Sequence, residues 1–389
     1  MENMQVNTPE RVLVLLTVLD RGGAETMAMN YLRHFDRSRV VYDFLVNRKY
    51  RGDYEDEIEA LGGRIYRMCP MYPQYFARYK REFRAFLHEH PEYRIIHSNL
   101  EDRSYFPLRI AKEEGVPVRI AHAHNAMRGF NAKTLFRDYF RLRLSGNPTH
   151  MFACSQEAGD WLFGKKNREQ VIQIPNAIDV EQYRYNPETT QQVRAEFGVT
   201  GPNTLVVGHV GRFAPQKNHK QLIEIFAEVH KRQSNSVLWL VGGGHGTESL
   251  QGEVRARIRE LGLQGAVKFL GVRSDVPRIL QGMDVFVMPS LHEGLAIALL
   301  EAQAVGLPCV MSDVITQQVN VSGAIRTCAL QDEPEIWAET VLECVSTRHN
   351  DADRTQQADV VRAAGFDIAQ NARQLEQWYL DTLARSVHE

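Results

Sequence analysis

Short apolar segments alternate with amphipathic segments along the whole chain. RVLVLLTVL, VVYDFLVN and YRIIHSN are rich in the aliphatic and aromatic residues of buried strands, whereas AETMAMNYLRHF and SYFPLRIAKEEG place apolar residues at helical spacing. The alternation continues through VRIAHAHN, MFACS and VIQIPNAI. It predicts repeated βαβ units, and therefore a parallel sheet with helices on both faces.

The same pattern restarts after a polar stretch at residues 186–203. Here HKQLIEIFAEVHKRQ is an amphipathic helix among the predicted strands TLVVGHVGRF, SVLWLVGGG, AVKFLG, DVFVMPS and PCVMSDV. We therefore predict an α/β fold with two doubly wound Rossmann-like domains, residues 1–189 and 190–365. A final helix within 366–389, starting at Asp367, is expected to pack on either domain.

Composition limits the function classes. A chain of 389 residues with 43% hydrophobic and 24% charged residues is typical of a soluble protein of two or three domains. The net charge of −2 argues against a nucleic-acid partner. Five cysteines without a CxxC pair indicate reduced thiols and a cytoplasmic location. No HExxH motif or Cys/His cluster occurs, so we predict no metal site and no cofactor.

Candidate ligand loops follow the predicted strands. In open α/β sheets, ligands bind beyond the carboxyl ends of the strands. With two such domains, we expect the site in a cleft between them. Its walls would be the loops GGAE, HAHN, GRFAPQKN, VGGG and HEGLA.

Two cations in GRFAPQKN suit a diphosphate. Arg212 and Lys217 follow a strand, where a guanidinium can bind phosphate bidentately and an ammonium acts as a point charge. Solvated surface charges are the commoner fate of such a pair, but the position favours phosphate binding. Gly242 and Gly243 of VGGG, and Gly23 of GGAE, remove side chains where a ligand would approach, although each loop is also compatible with an ordinary turn. Neither loop completes the GxGxxG dinucleotide motif.

Two carboxylates, Glu293 and Glu301, lie in the segment PSLHEGLAIALLEAQAVGLPCVMSDV, residues 289–314. A helix is predicted to start near Leu295, so Glu293 precedes it and Glu301 lies about two turns inside. Glu293 suits the hydroxyls of a sugar and Glu301 suits a ribose diol. Both glutamates are also compatible with a position on the surface of a helix. For Glu301 this interpretation is less favoured, because apolar residues flank it on both sides.

Two histidines, His122 and His124, end the strand IAHAHN and point to the same side of it. A buried core histidine is the default interpretation. Two of them at a strand end, followed by Asn125, favour a polar site.

Together these residues resemble the retaining nucleotide-sugar glycosyltransferases of family 4, which have the GT-B fold. The resemblance spans nearly the whole chain and is most specific in E-x7-E followed by EAQAVGLP. It implies that Glu293 holds the donor sugar and Glu301 the ribose. It also implies that Arg212, Lys217 and backbone N–H groups from Gly294 through Leu295, Ala296 and Ile297 hold the diphosphate. Gly23 would close over the phosphates, and His124, with His122 as the rival, would face the sugar. The chain has EGLA where the family often has EGFG or EGLP, which weakens any inference about the donor sugar.

The resemblance implies a metal-independent hexosyltransferase that uses a nucleotide sugar, with a UDP-sugar favoured. The acceptor would be a glycan or a lipid-linked saccharide in bacterial surface polysaccharide synthesis. The alternatives are a nucleotide-sugar epimerase and a non-catalytic nucleotide-sugar-binding protein.

Two segments, 73–90 and 131–144, mix basic and aromatic residues at helical spacing. Tyr75, Tyr79, Phe83 and Phe86 would form one face, and Lys133, Arg137 and Arg141 another. Such helices lie on anionic membranes or pack within a domain, and the sequence supports both interpretations. Membrane contact would place the protein at the inner face of the cell membrane.

Overall fold

The chain divides into two compact units. Unit 1 comprises Met1–Ala177 and Ile368–Glu389, and unit 2 comprises Ile178–Asp367. The structure, a computed structural model, describes residues 8–125, 132–199, 201, 203–244, 246–346 and 350–386, with the side chains of 132–136 outside that description.

Unit 1 contains a seven-stranded parallel sheet in the order β3-β2-β1-β4-β5-β6-β7. The strands are β1 (Glu10–Leu16), β2 (Val40–Val46), β3 (Ile65–Arg67), β4 (Ile95–Ser98), β5 (Val118–Ala123), β6 (His150–Ala153) and β7 (Val171–Gln173). The helices between them are α1 (Gly23–His34), α2 (Glu55–Ala60), α3 (Phe76–Glu89), α4 (Tyr105–Glu113), α5 (Ala132–Leu144) and α6 (Gln156–Phe163). Strand β2 is buried at every position, as expected for a strand covered on both faces.

Unit 2 repeats the architecture with six parallel strands in the order β10-β9-β8-β11-β12-β13. The strands are β8 (Leu205–Val210), β9 (Ser236–Val241), β10 (Val267–Gly271), β11 (Val285–Met288), β12 (Cys309–Ser312) and β13 (Ile325–Cys328). The helices are α7 (Pro187–Glu196), α8 (His219–Arg232), α9 (Glu248–Glu260), α10 (Val276–Gln281), α11 (Ile297–Ala304), α12 (Pro334–Ser346) and α13 (Asp351–Val361). The prediction of two doubly wound sheets is thereby confirmed.

The division between the units differs from the predicted one. It falls at residues 177 and 178 rather than 189 and 190. Ile178 already belongs to unit 2, where its N–H donates to the carbonyl of Phe366 at 3.0 Å. The polar stretch that suggested a linker contains helix α7. Asn186 caps this helix by accepting from the N–H groups of Glu188 and Thr189, so Asn-Pro here marks a helix start.

The final helix, α14 (Ile368–Ser386), packs within unit 1. Its buried residues include five at steps of three and four positions: Ile368, Ala372, Leu375, Tyr379 and Leu383. Polar contacts hold it as well, because the Glu376 carboxylate accepts from the Asp36 N–H at 2.8 Å and from Arg39 Nη1 at 2.5 Å. The Tyr379 hydroxyl lies 2.7 Å from that of Tyr42 and 2.6 Å from Nδ1 of His97. The C-terminal helix is thus part of the hydrogen-bonded core of unit 1.

The aromatic face of α3 faces the interior. Tyr79 and Phe83 have no exposed surface and Phe86 is buried, whereas Tyr75 at the start of the segment is 38% exposed. For three of the four aromatic residues considered for membrane contact, the structure therefore selects domain packing.

We expect Tyr379→Phe to destabilise the protein by about 1–3 kcal/mol, because the substitution removes the buried hydroxyl between His97 and Tyr42. Urea unfolding monitored by circular dichroism measures the change. Tyr75→Phe removes the hydroxyl of an exposed ring and serves as the control, with an expected change below about 0.5 kcal/mol. Equal stabilities of the two variants would contradict a structural role for the Tyr379 hydroxyl.

Candidate functional site

The strand order of unit 2 brings two predicted loops together. In the order β10-β9-β8-β11, the chain winds away from β8 in both directions, and the loops after β8 and β11 flank that reversal. The first carries Arg212 and Lys217, and the second carries Glu293. A backbone hydrogen bond joins them, from the Leu291 N–H to the Gln216 carbonyl at 2.8 Å.

Charge is compensated within this site. Lys217 Nζ lies 2.8 Å from Oε1 of Glu293. The Glu293 carboxylate also accepts from Gln216 Nε2 at 3.1 Å, and the same amide donates to the His292 carbonyl at 2.8 Å. Both Glu293 oxygens are therefore held. Gln216 was not among the residues that the sequence suggested, although it directly precedes Lys217.

Glu301 lies in helix α11 and is buried. Its Oε1 accepts from the Tyr183 hydroxyl at 2.6 Å. Burial raises the pKa of Glu301, while the Tyr183 hydrogen bond and the charge of Lys217 lower it. Lys217 thus acts electrostatically on both carboxylates of the E-x7-E motif. Tyr183 was also not among the residues that the sequence suggested, and it lies 118 positions from Glu301 in the chain.

Helix α11 begins two residues later than the sequence suggested. Ile297 is its first residue and Ala296 is the N-cap. Alanine has no side-chain acceptor, so no side chain at the N-cap accepts from the first N–H groups of the helix. The Leu299 N–H donates to the Ala296 carbonyl at 3.0 Å, which leaves the N–H groups of Ile297 and Ala298 for solvent or a ligand. Leu295 and Ala296 lie in the loop that leads into the helix, directly after Gly294. Glu301 consequently lies just over one turn into the helix rather than two.

The VGGG loop packs against the loop after β8. Gly242 has a φ of 136°, and a Cβ there would lie 2.0 Å from the carbonyl oxygen of Gly211. A side chain at Gly242 would therefore push the two loops apart. A Cβ at Gly244 would lie 3.4 Å from Cδ of Arg212, so the exposed Arg212 side chain runs over this loop. A Cβ at Gly243 would instead meet Val272 at 3.1 Å.

Beneath the loop after β8, His209 is fully buried. Burial lowers its pKa to about 4, so the ring is neutral at physiological pH. Its Nδ1 lies 2.9 Å from the Val287 carbonyl, which can only accept, so Nδ1 carries the proton. This hydrogen bond joins the end of β8 to β11, directly before the loop that carries Lys217.

In unit 1, His122 lies on β5 and His124 directly follows the strand, with their ring centroids 4.1 Å apart. His122 is fully buried, and its Nδ1 lies 2.9 Å from Nε2 of His97. His124 is 6% exposed, and its Nε2 lies 2.7 Å from Oδ1 of Asn99. Because that oxygen accepts, Nε2 carries the proton, and Nδ1 of the neutral ring is an acceptor. Burial lowers the pKa of His124 to about 3.

Glu101 supports His124 from the loop after β4. Its Oε1 accepts from the His124 N–H at 3.0 Å and from Asn125 Nδ2 at 3.2 Å. Burial raises the pKa of Glu101 to about 7. The residue has a φ of 55°, which is uncommon for a side chain of this size. The sequence signal for this residue is the acidic pair Glu101-Asp102, which directly follows HSNL.

Gly23 is the first residue of α1, preceded by its N-cap Gly22. A Cβ at Gly22 would lie 2.3 Å from the Glu25 carboxylate, whereas a Cβ at Gly23 would meet nothing within 4 Å. The Glu25 side chain is thus folded over Gly22, and Gly23 faces open space.

The described residues contain neither a candidate metal site nor a candidate membrane-spanning helix. No group of three or more His, Cys, Asp or Glu side chains there is arranged to hold a metal ion. No described helix has both the length and the apolar character needed to cross a membrane. All five cysteines are buried, and none of them forms a disulfide.

Comparisons with known proteins agree with this architecture. The family model described as Glycosyltransferase Family 4 matches residues 21–182, and the model described as Glycosyl transferases group 1 matches residues 204–347. The chain is 35% identical over 379 residues to EpsF of Bacillus subtilis (strain 168), covering 96% of this chain and 97% of EpsF.

Two further similarities are more distant. Over 143 residues, the chain is 34% identical to the UDP-Gal:alpha-D-GlcNAc-diphosphoundecaprenol alpha-1,3-galactosyltransferase of Escherichia coli, covering 36% of each protein. Among solved structures, Anabaena Alr3699/HepE in complex with UDP-glucose has a TM-score of 0.74 at 21% identity. The match covers 95% of this chain and 99% of that one, and it indicates a shared fold.

We expect Tyr183→Phe to destabilise the protein by about 1–3 kcal/mol at pH 8, because the buried Glu301 carboxylate loses a donor. The substitution raises the pKa of Glu301 further. An acid whose folded-state pKa is raised is destabilising only where it ionises, so the cost grows as pH rises through that pKa and is smaller at pH 5. Urea unfolding at both pH values measures this difference.

Tyr185→Phe is the matched control, because the Tyr185 hydroxyl donates to the exposed carboxylate of Asp351 at 3.0 Å. Its effect should be smaller and independent of pH. A Tyr183→Phe effect of the same size at pH 5 and pH 8 would contradict the coupling to Glu301 ionisation.

Proposed function

Because the chain belongs to the family 4, group 1 glycosyltransferases and has their GT-B fold, we propose that it transfers a hexose from a nucleoside-diphosphate sugar with retention. The acceptor is a glycan or a lipid-linked saccharide of a bacterial surface polysaccharide. The single observation that carries the proposal is the Lys217–Glu293–Gln216 arrangement beside the start of α11, which combines a cation, a held carboxylate and helix N–H groups.

Each part of that arrangement takes one part of the donor. Lys217, Arg212 and the N–H groups at the start of α11 hold the diphosphate, on which negative charge develops as the sugar leaves. Glu293 accepts hydrogen bonds from the sugar hydroxyls. Glu301, oriented by Tyr183, accepts from the ribose. Gly242 and Gly243 let the VGGG loop pack closely beside the phosphates.

The transfer proceeds at one face of the sugar. The bond from the anomeric carbon to the diphosphate oxygen breaks, and a bond to the acceptor hydroxyl oxygen forms on the same face. The acceptor proton passes to the leaving diphosphate oxygen. Retention through a covalent intermediate requires a carboxylate nucleophile at the anomeric carbon. Glu293 is assigned to binding because both of its oxygens are already held by donors. We also propose that His124 contacts the sugar and that Gly23 contacts the phosphates, as the family resemblance implies.

We favour a UDP-sugar as the donor and no metal requirement. Support comes from Anabaena HepE, whose structure contains UDP-glucose, and from the E. coli galactosyltransferase, whose name specifies UDP-Gal. The cations Arg212 and Lys217 supply the positive charge that a metal ion supplies in other transferases. The E. coli protein's name also specifies a diphosphoundecaprenol acceptor, which supports a lipid-linked acceptor here.

Calorimetric titration with UDP, GDP and ADP in the presence of EDTA tests the donor assignment. We expect UDP to bind, and Glu293→Ala to leave UDP affinity within a few fold of wild type while lowering turnover by on the order of 100-fold. Lys217→Ala, by contrast, should weaken UDP binding itself. Failure of all three nucleotides to bind, or unchanged turnover in Glu293→Ala, would reject these assignments.

Incubation with donor alone excludes the epimerase alternative if the donor is recovered unchanged.

We also propose that unit 1 contacts anionic membrane through α5. Tyr139, Leu142 and Arg143 lie on one face of this helix, with Tyr139 49% and Leu142 75% exposed. The other basic residues considered for this role have partners: Arg137 pairs with Asp102, and Arg141 pairs with Asp138 and donates to the Trp161 carbonyl. Lys133 has its side chain outside the described residues.

We expect Leu142→Asp to reduce cosedimentation with phosphatidylglycerol vesicles several fold, because it removes apolar area and adds like charge. Ile336→Asp is the matched control, since Ile336 is an exposed apolar residue of α12 in unit 2. Equal vesicle binding by wild type and Leu142→Asp would contradict a membrane role for α5.

A further inference from the structure

Two arginines at the carboxyl edge of the unit 1 sheet have no carboxylate partner among the described residues. Arg103 follows β4, and its Nη2 donates to the Thr17 hydroxyl at 3.3 Å. Arg48 follows β2, and its guanidinium lies 5.4 Å from the centre of the Tyr72 ring. The Asn47 N–H donates to the Thr17 carbonyl at 3.2 Å, which places the end of β2 beside Thr17.

A third arginine at this edge does have a carboxylate partner. Arg137 also lies at this edge, and it is neutralised by the buried carboxylate of Asp102 at 3.0 Å. The Glu101 carboxylate is occupied by the His124 and Asn125 donors. No carboxylate thus makes an ion pair with Arg48 or Arg103 in the part of the chain that the structure describes.

Arg103 is partly withdrawn from water. Burial lowers its pKa, the charge of Asp102 raises it, and repulsion from Arg137 and Arg48 lowers it further. Desolvation and like charge therefore disfavour the charged form of this guanidinium. A guanidinium offers five N–H donors, and the hydrogen bond to Thr17 uses one of them. An anion at this position would relieve the repulsion and satisfy the remaining donors.

The location favours a ligand. Thr17 follows β1 and Arg103 follows β4, and these two strands flank the reversal of winding in the order β3-β2-β1-β4. Doubly wound sheets bind ligands in the crevice at this point. Guanidinium pairs suit phosphate groups because the planar fork matches two phosphate oxygens. Arg48, stacked over Tyr72, keeps the edge of its fork for such contacts.

We propose that Arg48 and Arg103 form a phosphate-binding subsite in unit 1 that takes the diphosphate of a lipid-linked acceptor. This inference rests on the proposed transferase function, in which the donor diphosphate has its own cations, Arg212 and Lys217, in unit 2. The acceptor diphosphate is then a second anion, bound independently of the nucleotide.

Calorimetric titration of the full chain with inorganic pyrophosphate, at saturating UDP and with EDTA present, tests the subsite. We expect pyrophosphate to bind the UDP-loaded protein, and Arg48→Met and Arg103→Met each to weaken that binding at least tenfold, which is about 1.4 kcal/mol. Arg103→Lys should retain part of the affinity, because it keeps the charge but loses the fork. Arg81→Met, which removes an exposed arginine of α3, is the control and should bind as wild type.

UDP affinity and the thermal midpoint separate the possible failures. UDP affinity should be unchanged in every variant, since the arginines lie outside unit 2. The thermal midpoint should show that each variant is folded at the titration temperature. Pyrophosphate binding that UDP abolishes, or that survives Arg48→Met and Arg103→Met, overturns the subsite. If UDP itself does not bind, the donor assignment fails, and titration with pyrophosphate alone still reports on the arginine pair.

A vesicle assay distinguishes an acceptor diphosphate from a lipid headgroup. Arg48→Met and Arg103→Met should cosediment with phosphatidylglycerol vesicles as wild type does, while losing pyrophosphate binding. Loss of vesicle binding with pyrophosphate affinity intact would assign the pair to the bilayer surface and overturn the proposal.

Discussion

The reversal of winding in each parallel sheet is the constraint on which the rest of the structure depends. Right-handed crossovers carry the chain outward from β8 to β10 in one direction and from β11 to β13 in the other. The loops after β8 and β11 therefore leave opposite faces of the sheet and flank one crevice. The same order in unit 1 makes the loops after β1 and β4 neighbours. Polar side chains that are far apart in sequence meet at these two edges, because the loops that follow parallel strands all lie at the same edge of the sheet.

Charge compensation decides how the unit 2 edge is organised. Lys217 pairs with the buried carboxylate of Glu293 and acts electrostatically on the buried carboxylate of Glu301, and Gln216 and Tyr183 supply neutral donors to the same two groups. A buried carboxylate without such donors would be costly. The neutral donors fix the orientation of the two acids, and Lys217 retains the charge that a diphosphate attracts. Preorganisation of this kind lets a site stabilise developing charge without rearranging.

The unit 1 edge follows a different principle. A buried hydrogen-bonded chain runs from Tyr42 and Tyr379 through His97 to His122, and it joins the C-terminal helix to the strands beneath His124. Glu101, Arg103 and Arg48 lie in the loops at the carboxyl edge of the same sheet. The Glu101 carboxylate accepts from His124 and Asn125, whereas Arg103 donates to a hydroxyl and Arg48 lies over an aromatic ring. Positive charge without an ion-pair partner among the described residues thus lies at this edge, on Arg48 and Arg103. Such an arrangement suits a domain that receives an anionic substrate.

The sequence by itself determined the two doubly wound sheets, because strand and helix periods alternate without interruption and each period follows from local geometry. It also placed Arg212, Lys217 and Glu293 in loops that follow strands and therefore share one edge of a sheet, and Glu301 in the helix after the second of these loops. Only the tertiary structure decided the partners Gln216 and Tyr183, the start of α11 at Ile297 and the boundary at residue 178. It also decided that the aromatic face of α3 is internal. These features depend on distances between residues far apart in the chain, and periodicity within a segment contains no information about such distances.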